Sequence, residues 1–195
     1  MTKVVYYTAS SLDGLLADEN SSLDWLFAVE QNPGQNEADF SKFMAGIGVL
    51  VEGSATYQWV LEHEGLLEHP ERWPTIYGER ATFVFTSSSL PAVEGADIRF
   101  VSGGVAEVYP ELLRAAGDGD IWIVGGGDLA GQFADAGLLD EIQVTFAPAL
   151  LTGGAPLLPR RMDPDALRLR SVEQRGQFAH LILDVVKRDR AAPRP

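Results

Sequence analysis

The chain has 195 residues, 46% hydrophobic and 22% charged, enough to bury one core and short for two domains. Its 28 acidic against 15 basic side chains give a formal net charge of -13, which repels nucleic-acid phosphates and anionic lipid surfaces. With no cysteine and three scattered histidines (His63, His69, His180), disulfides and thiolate metal sites are excluded and no histidine metal cluster is expected.

In chain order, residues 4–9 form a β-rich apolar run that predicts a first, buried strand ending at Ser10 and Ser11. The run is too short for a signal peptide or membrane span, so a cytoplasmic protein is expected. Residues 32–36 read as loop, and Ala38, Phe40, Phe43 and Met44 then carry a helical pattern that stops near Gly46 and Gly48. Residues 49–51 make a strand, Gly53 breaks it, and residues 55–64 read as the next helix. Strands follow at 82–86 and 98–101, then a helix at 105–116 with Val108, Leu112 and Leu113 inward. After Leu139 the pattern changes to consecutive strands at 141–147, 167–174 and 178–187, the last two joined by a turn at Arg175 and Gly176, which implies antiparallel pairing. The expected fold class is α/β: a mixed, mostly parallel central sheet with helices on both faces and a C-terminal antiparallel hairpin. It occupies one domain, 1–190, with 191–195 as a disordered tail.

The most informative segment is IWIVGGGDLAGQF, where Ile121, Trp122, Ile123 and Val124 run into three glycines, and Leu129, Ala130 and Phe133 follow at helical spacing. A glycine turn between strand and helix lets backbone approach a ligand, and the free N–H groups of the first helical turn favour a phosphate. Gly125, Gly127 and Ala130 also satisfy GxGxxG/A, a short pattern that a tight turn with no ligand would satisfy equally well. Asp128 suits a helix N-terminus but competes with a bound anion. The second strand–glycine–helix junction, at Gly53, predicts a cleft shared with the one at Gly125, since ligands of open α/β sheets sit at the carboxyl ends of strands.

Six segments in order, SSLDGLLA (10–17), LDWL (23–26), VLVEGSATY (49–57), FTSS (85–88), IWIVGGGDLA (121–130) and LLDEIQVTFAPALLTGG (138–154), resemble the dihydrofolate reductase-like superfamily. Within it the chain is most similar to the bacterial branch related to the reductase domain of the bifunctional riboflavin-pathway deaminase-reductase. The resemblance implies a three-layer dihydrofolate reductase-like fold and an NADPH-dependent reductase that transfers a hydride to a heterocycle. That heterocycle would resemble 5-amino-6-(5-phosphoribosylamino)uracil, with another pterin-like or small carbonyl substrate, or dinucleotide binding without catalysis, as alternatives. It further implies that Ala9 and Leu16 meet the nicotinamide through their backbone and that Gly125, Gly126, Gly127, Asp128 and Leu129 hold the pyrophosphate. Gly53, Ser54, Thr56, Thr86 and Ser87 would form the adenosine side.

The arginine of the family's GRxTY-type segment is Ser54 here, so NADH stays open beside NADPH; Glu52 would disfavour a phosphate if it pointed inward. Asp13, Glu37 and Asp39 are the candidate catalytic carboxylates; a turn at Asp13-Gly14 and helix-start charges at 37 and 39 are the plain alternatives. Trp25 is the candidate substrate cover, with a core anchor as its alternative. Arg160 and Arg161 are candidates for a substrate phosphate, with solvent-facing side chains the more ordinary reading. The resemblance also implies a homodimer, for which FAPALLTGGAPLLP is the candidate interface.

Overall fold

The computed structural model describes residues 1–30 and 33–187. The chain begins with β1 (Val4–Ser10), the short β2 (Leu15–Ala17), α1 (Asp24–Phe27) and α2 (Pro33–Met44). Next come β3 (Ile47–Gly53), α3 (Ser54–Glu64), a 3-10 turn at Pro70–Arg72, α4 (Trp73–Tyr77), β4 (Thr82–Phe85), β5 (Ile98–Val101) and α5 (Val105–Ala116). The glycine segment is β6 (Asp120–Gly125) leading into α6 (Gly127–Asp135), followed by β7 (Glu141–Phe146), β8 (Ala155–Pro156), β9 (Leu167–Arg175) and β10 (Phe178–Val185).

Eight strands form one sheet in the order β5-β4-β3-β6-β1-β7-β10-β9, and β2 pairs with β8 in a separate two-stranded sheet. The pairs from β5 to β7 are parallel, and β10 then runs antiparallel to both β7 and β9, closing the sheet with the expected hairpin. Alternation along the central strands sends side chains to two cores. Val49, Val51, Ile121 and Ile123 join Val108 and Leu112 of α5 and Phe133 of α6 on one face. Leu50 and Trp122 join Tyr57 and Leu61 of α3 and Trp73 and Tyr77 of α4 on the other. Strands buried on both faces must be apolar along their whole length, which is why the central runs read as continuous rather than alternating. Each fully buried large side chain of this kind contributes about 1.5–3 kcal/mol relative to its exposed state.

The expected helices on both faces and C-terminal hairpin are present. Three local expectations need correction. Leu113, expected inward on α5 with Val108 and Leu112, is exposed. The stretch read as loop at 32–36 begins α2 at Pro33, since proline's fixed backbone suits a first helical turn; Asn32 lies outside the described residues. The last strand ends at Val185, short of the expected 187. The expected tail at 191–195, and Arg188, Arg190 and Arg194 before and within it, lie outside the described residues. No helix among the described residues is long and apolar enough to cross a membrane.

Candidate functional site

Two helix N-termini meet at the carboxyl edge of the sheet. Strand β3 hands over to α3 through Gly53, and β6 hands over to α6 through Gly126; both glycines are N-caps with no side-chain cap. The strands are neighbours, Glu52 lies in register with Gly125, and a Cβ on Gly53 would sit 3.7 Å from the Gly126 nitrogen. Uncapped first-turn N–H groups from two helices therefore face one cleft.

The three glycines serve different ends. A Cβ on Gly125 would lie 2.7 Å from Thr56 Oγ1, and one on Gly127 would lie 2.3 Å from the Pro156 carbonyl oxygen and 2.5 Å from that of Leu157. Those two positions are glycine because the protein packs against itself there. Gly126 is different: its nearest neighbour would be Thr56 Oγ1 at 3.9 Å, so its space is open toward the cleft. The peptide between Gly125 and Gly126 is cis.

Asp128 does not stand free over the turn. It accepts a hydrogen bond from Gln132 Nε2 at 3.0 Å and pairs with Arg160 at 3.0 Å, and these partners hold its carboxyl below the usual range. Leu129 turns inward and is buried in the core. Ser54 and Thr56 are half-buried, Ser87 is exposed, and the Thr86 hydroxyl closes a turn by accepting from the Ser88 backbone N–H at 3.0 Å.

Beside this cleft, between the sheet and helices α1 and α2, lies a cavity of about 340 Å³. Rings of Tyr7, Phe40, Trp122 and Phe178 wall it, Ala9 lines it, and Asp39 and Arg175 bring the charge. Arg175 Nε stands 3.4 Å from Asp39 Oδ2, and its NH2 donates to Glu173 at 3.0 Å. The indole of Trp122 is fixed by donating to the Tyr7 carbonyl at 3.0 Å, and Tyr7 packs edge-on against Phe43 at 4.6 Å. Thr145 also lines the cavity, with its hydroxyl 2.9 Å from Nδ1 of the fully buried His180. Burial, then the neighbouring Arg175, pushes the His180 pKa down to about 4, so this ring is neutral at ordinary pH.

Of the three candidate carboxylates, only Asp39 lines this cavity. Glu37 is exposed on α2, outside the cavity wall. Asp13 is a loop staple: it accepts from the Ser11 hydroxyl at 2.6 Å and from the backbone N–H groups of Leu151 and Thr152 at 3.1 and 2.7 Å. The Ser11 bond leads in holding its pKa down to about 2, which leaves it no proton to give near neutrality. Trp25 is half-buried in α1, while its neighbours Leu26 and Phe27 reach the cavity; Phe27 stacks on His63 at 5.0 Å. Leu16, in β2, is half-buried. Arg160 lies over the outer face of α6, bound to Asp128 and Asp135, and Arg161 is almost wholly exposed beside Asp163; neither lines the cavity.

Sequence reasoning passed over Thr145, Arg175 and His180. The single signal for them was His180, a lone polar residue in the otherwise apolar run FAHLIL.

One further group sits directly below the cleft. Glu52, the residue before Gly53, is fully buried, and its carboxyl faces the Tyr77 hydroxyl in place of water. Tyr77 and Tyr57 surround it, and burial pushes its pKa up to about 8. The inward orientation foreseen as unfavourable to a phosphate is therefore present, but with the carboxyl held neutral.

The profile of the RibD C-terminal domain matches residues 75–181. The uncharacterized protein YwjB of Bacillus subtilis is 31% identical over 180 residues, covering 92% of this chain and 95% of its own. Among solved structures, a Shewanella sp. PV-4 protein provisionally assigned to riboflavin biosynthesis superposes with a TM-score of 0.76 at 26% identity, covering 95% of this chain and 99% of that one. Dihydrofolate reductase from Enterococcus faecalis, solved with NADP(H), superposes with a TM-score of 0.59 at 20% identity over 96% and 97% of the two chains, which shows the shared fold. The chain belongs to the RibD C-terminal domain family and has the dihydrofolate reductase-like fold.

Proposed function

We propose that this chain is an NAD(P)H-dependent reductase that passes a hydride to a flat heterocycle of the pyrimidine or pterin type. One observation carries the reading: the open glycine at Gly126, between two uncapped helix N-termini, lies at the same sheet edge as an aromatic-walled cavity containing Asp39 and Arg175. A pyrophosphate needs close backbone approach and free N–H groups, and Gly126 with the first turn of α6 offers both.

In this reading the backbone of Gly125, Gly126, Gly127, Asp128 and Leu129 holds the pyrophosphate. Gly53, Ser54, Thr56, Thr86 and Ser87 take the adenosine side, and the backbone of Ala9 and Leu16 orients the nicotinamide. A bound reduced nicotinamide supplies the hydride. The chain's own contribution is placement: the rings of Tyr7, Phe40 and Trp122 clamp a planar substrate, and Asp39 accepts from a ring N–H while Arg175 donates to a neighbouring carbonyl. Of the candidate carboxylates, Asp39 is the one in reach of a substrate in the cavity.

Titration of the purified chain with NADPH and NADH, followed by nicotinamide fluorescence, tests this. Saturable binding is expected, lost in Gly126→Asp while thermal melting shows that variant still folded. Absence of binding for both dinucleotides at millimolar concentration sinks the reading.

A further inference from the structure

His180 is the one buried histidine of the chain and stands behind the cavity wall, in contact with Thr145. It is fully buried on β10, and Thr145 lies directly across from it on β7. The two side chains meet at 2.9 Å, Thr145 Oγ1 to His180 Nδ1, and this is the partner the structure gives the threonine hydroxyl. The other ring nitrogen, Nε2, is buried with no hydrogen-bond partner among the described residues. Tyr7 packs edge-on against the imidazole at 5.6 Å, and Arg175, Glu173 and Asp39 supply the surrounding charge.

A neutral imidazole has one N–H and one lone pair, so two arrangements exist. If Nε2 carries the proton, a buried N–H donor is left unpaired and the threonine must donate to Nδ1. If Nδ1 carries the proton, the orphan at Nε2 is a lone pair. Orphaned N–H donors are the rarer case in folded proteins, because burying one forfeits a bond to water that nothing replaces. In the second arrangement Nδ1–H donates to Thr145 Oγ1 and the hydroxyl proton is free. Thr145 lines the substrate cavity and is register-paired with Ala9, which lines it too.

We infer that His180 is a positioning residue that holds Thr145 as a hydrogen-bond donor into the cavity, so that the bound ring presents an acceptor, a carbonyl oxygen or an unprotonated ring nitrogen, toward β7. This deepens the proposed reductase site and rests on that reading of the cavity. Asp39 then reads a donor, and Thr145 reads an acceptor, on the same ring. A ring bearing only N–H groups at the β7 side is rejected, since its donor would face the threonine's donor.

The first test is long-range 15N NMR of the full-length protein labelled in histidine, with the His180 signals identified by their absence from His180→Asn. If that variant does not fold, they are identified as the signals that shift in Thr145→Val. Protonated Nδ1 and unprotonated Nε2 are expected; protonation at Nε2, or at both nitrogens near neutral pH, overturns the inference. The second test follows uracil binding, as a probe with ring carbonyls, by Trp122 quenching. Thr145→Ser and His180→Asn, which keep a hydroxyl and a donor to it, are expected within twofold of the parent. Thr145→Val is expected to weaken binding about tenfold and His180→Leu severalfold, as befits loss of a single hydrogen bond. Equal uracil affinity in the parent and Thr145→Val, or no uracil binding by the parent, overturns it. Loss of dinucleotide binding by the parent is the separate signature of failure of the underlying reductase reading.

Discussion

Glu52 shows how burial changes what a residue does. Its carboxyl has left water, and burial outweighs the hydrogen bond it shares with Tyr77, so the neutral form is preferred and the pKa rises from 4.5 to about 8. The sign of the stability effect follows. Between those two values the folded chain keeps a proton that the unfolded chain releases, so the Glu52 contribution to stability is fullest below about pH 4.5 and falls as pH rises toward 8. The slope approaches about 1.4 kcal/mol per pH unit inside that window. Thermal melts from pH 5 to 8 are expected to show this decline in the parent and to lose most of it in Glu52→Gln. A parent whose melting temperature holds level across the range would show that the carboxyl is ionised and paired. From the sequence, Glu52 had two readings, inward and harmful to a phosphate or outward and inert. The structure gives a third, inward and neutral, which pattern alone does not reveal because protonation depends on what surrounds the group.

At the scale of elements, the two strand–glycine–helix junctions were legible because each is continuous in the chain. A run of β-branched residues, a glycine and a helical spacing are local signals, and β3–α3 and β6–α6 form where they predict. What the pattern did not distinguish is why each glycine is there. Gly127 faces the backbone of Pro156 and Leu157, which cannot yield as a side chain can, so Gly127→Ala is expected to lower stability by about 1–3 kcal/mol or more through overpacking. Gly126→Ala meets nothing closer than 3.9 Å and is expected to leave the melting temperature within a degree or two while weakening dinucleotide binding. Equal destabilisation by the two substitutions would show that Gly126 too is held by packing. The small sheet of β2 and β8 was not legible at all, since three residues against two carry no periodicity, and α4 is hidden behind the Trp-Pro pair at its start. Apart from Asp39, the cavity side of the site escaped for another reason: Tyr7, Thr145, Arg175 and, behind them, His180 come from β1, β7 and the β9–β10 hairpin, and only the strand order β1-β7-β10-β9 brings them together.

At the scale of the whole molecule, charge sets how an anionic ligand arrives. The protein carries a formal net charge of -13, and none of the residues forming the two glycine turns is cationic. Arg160, the cation that reaches Asp128, is also engaged by Asp135. On the proposed reading, a dinucleotide phosphate would approach a negatively charged body and be held by backbone N–H groups and hydroxyls, which are dipoles rather than ions. Raising ionic strength from 0.01 to 0.15 M shortens the screening length from about 30 to about 8 Å, which weakens the long-range repulsion while leaving contact hydrogen bonds almost untouched. Dinucleotide affinity is thus expected to hold or rise with salt, more for NADPH than for NADH because the additional phosphate is repelled more strongly. Ser54→Arg is expected to reverse this: a guanidinium at the start of α3 gives the phosphate a forked ionic partner, raising NADPH affinity about tenfold and making it fall with salt, with little change for NADH. Calorimetry of both dinucleotides at the two ionic strengths separates the cases. Parent affinity for NADPH that drops steeply with added salt would mean that a cation already occupies the place left by Ser54, and the neutral seat described here would be wrong.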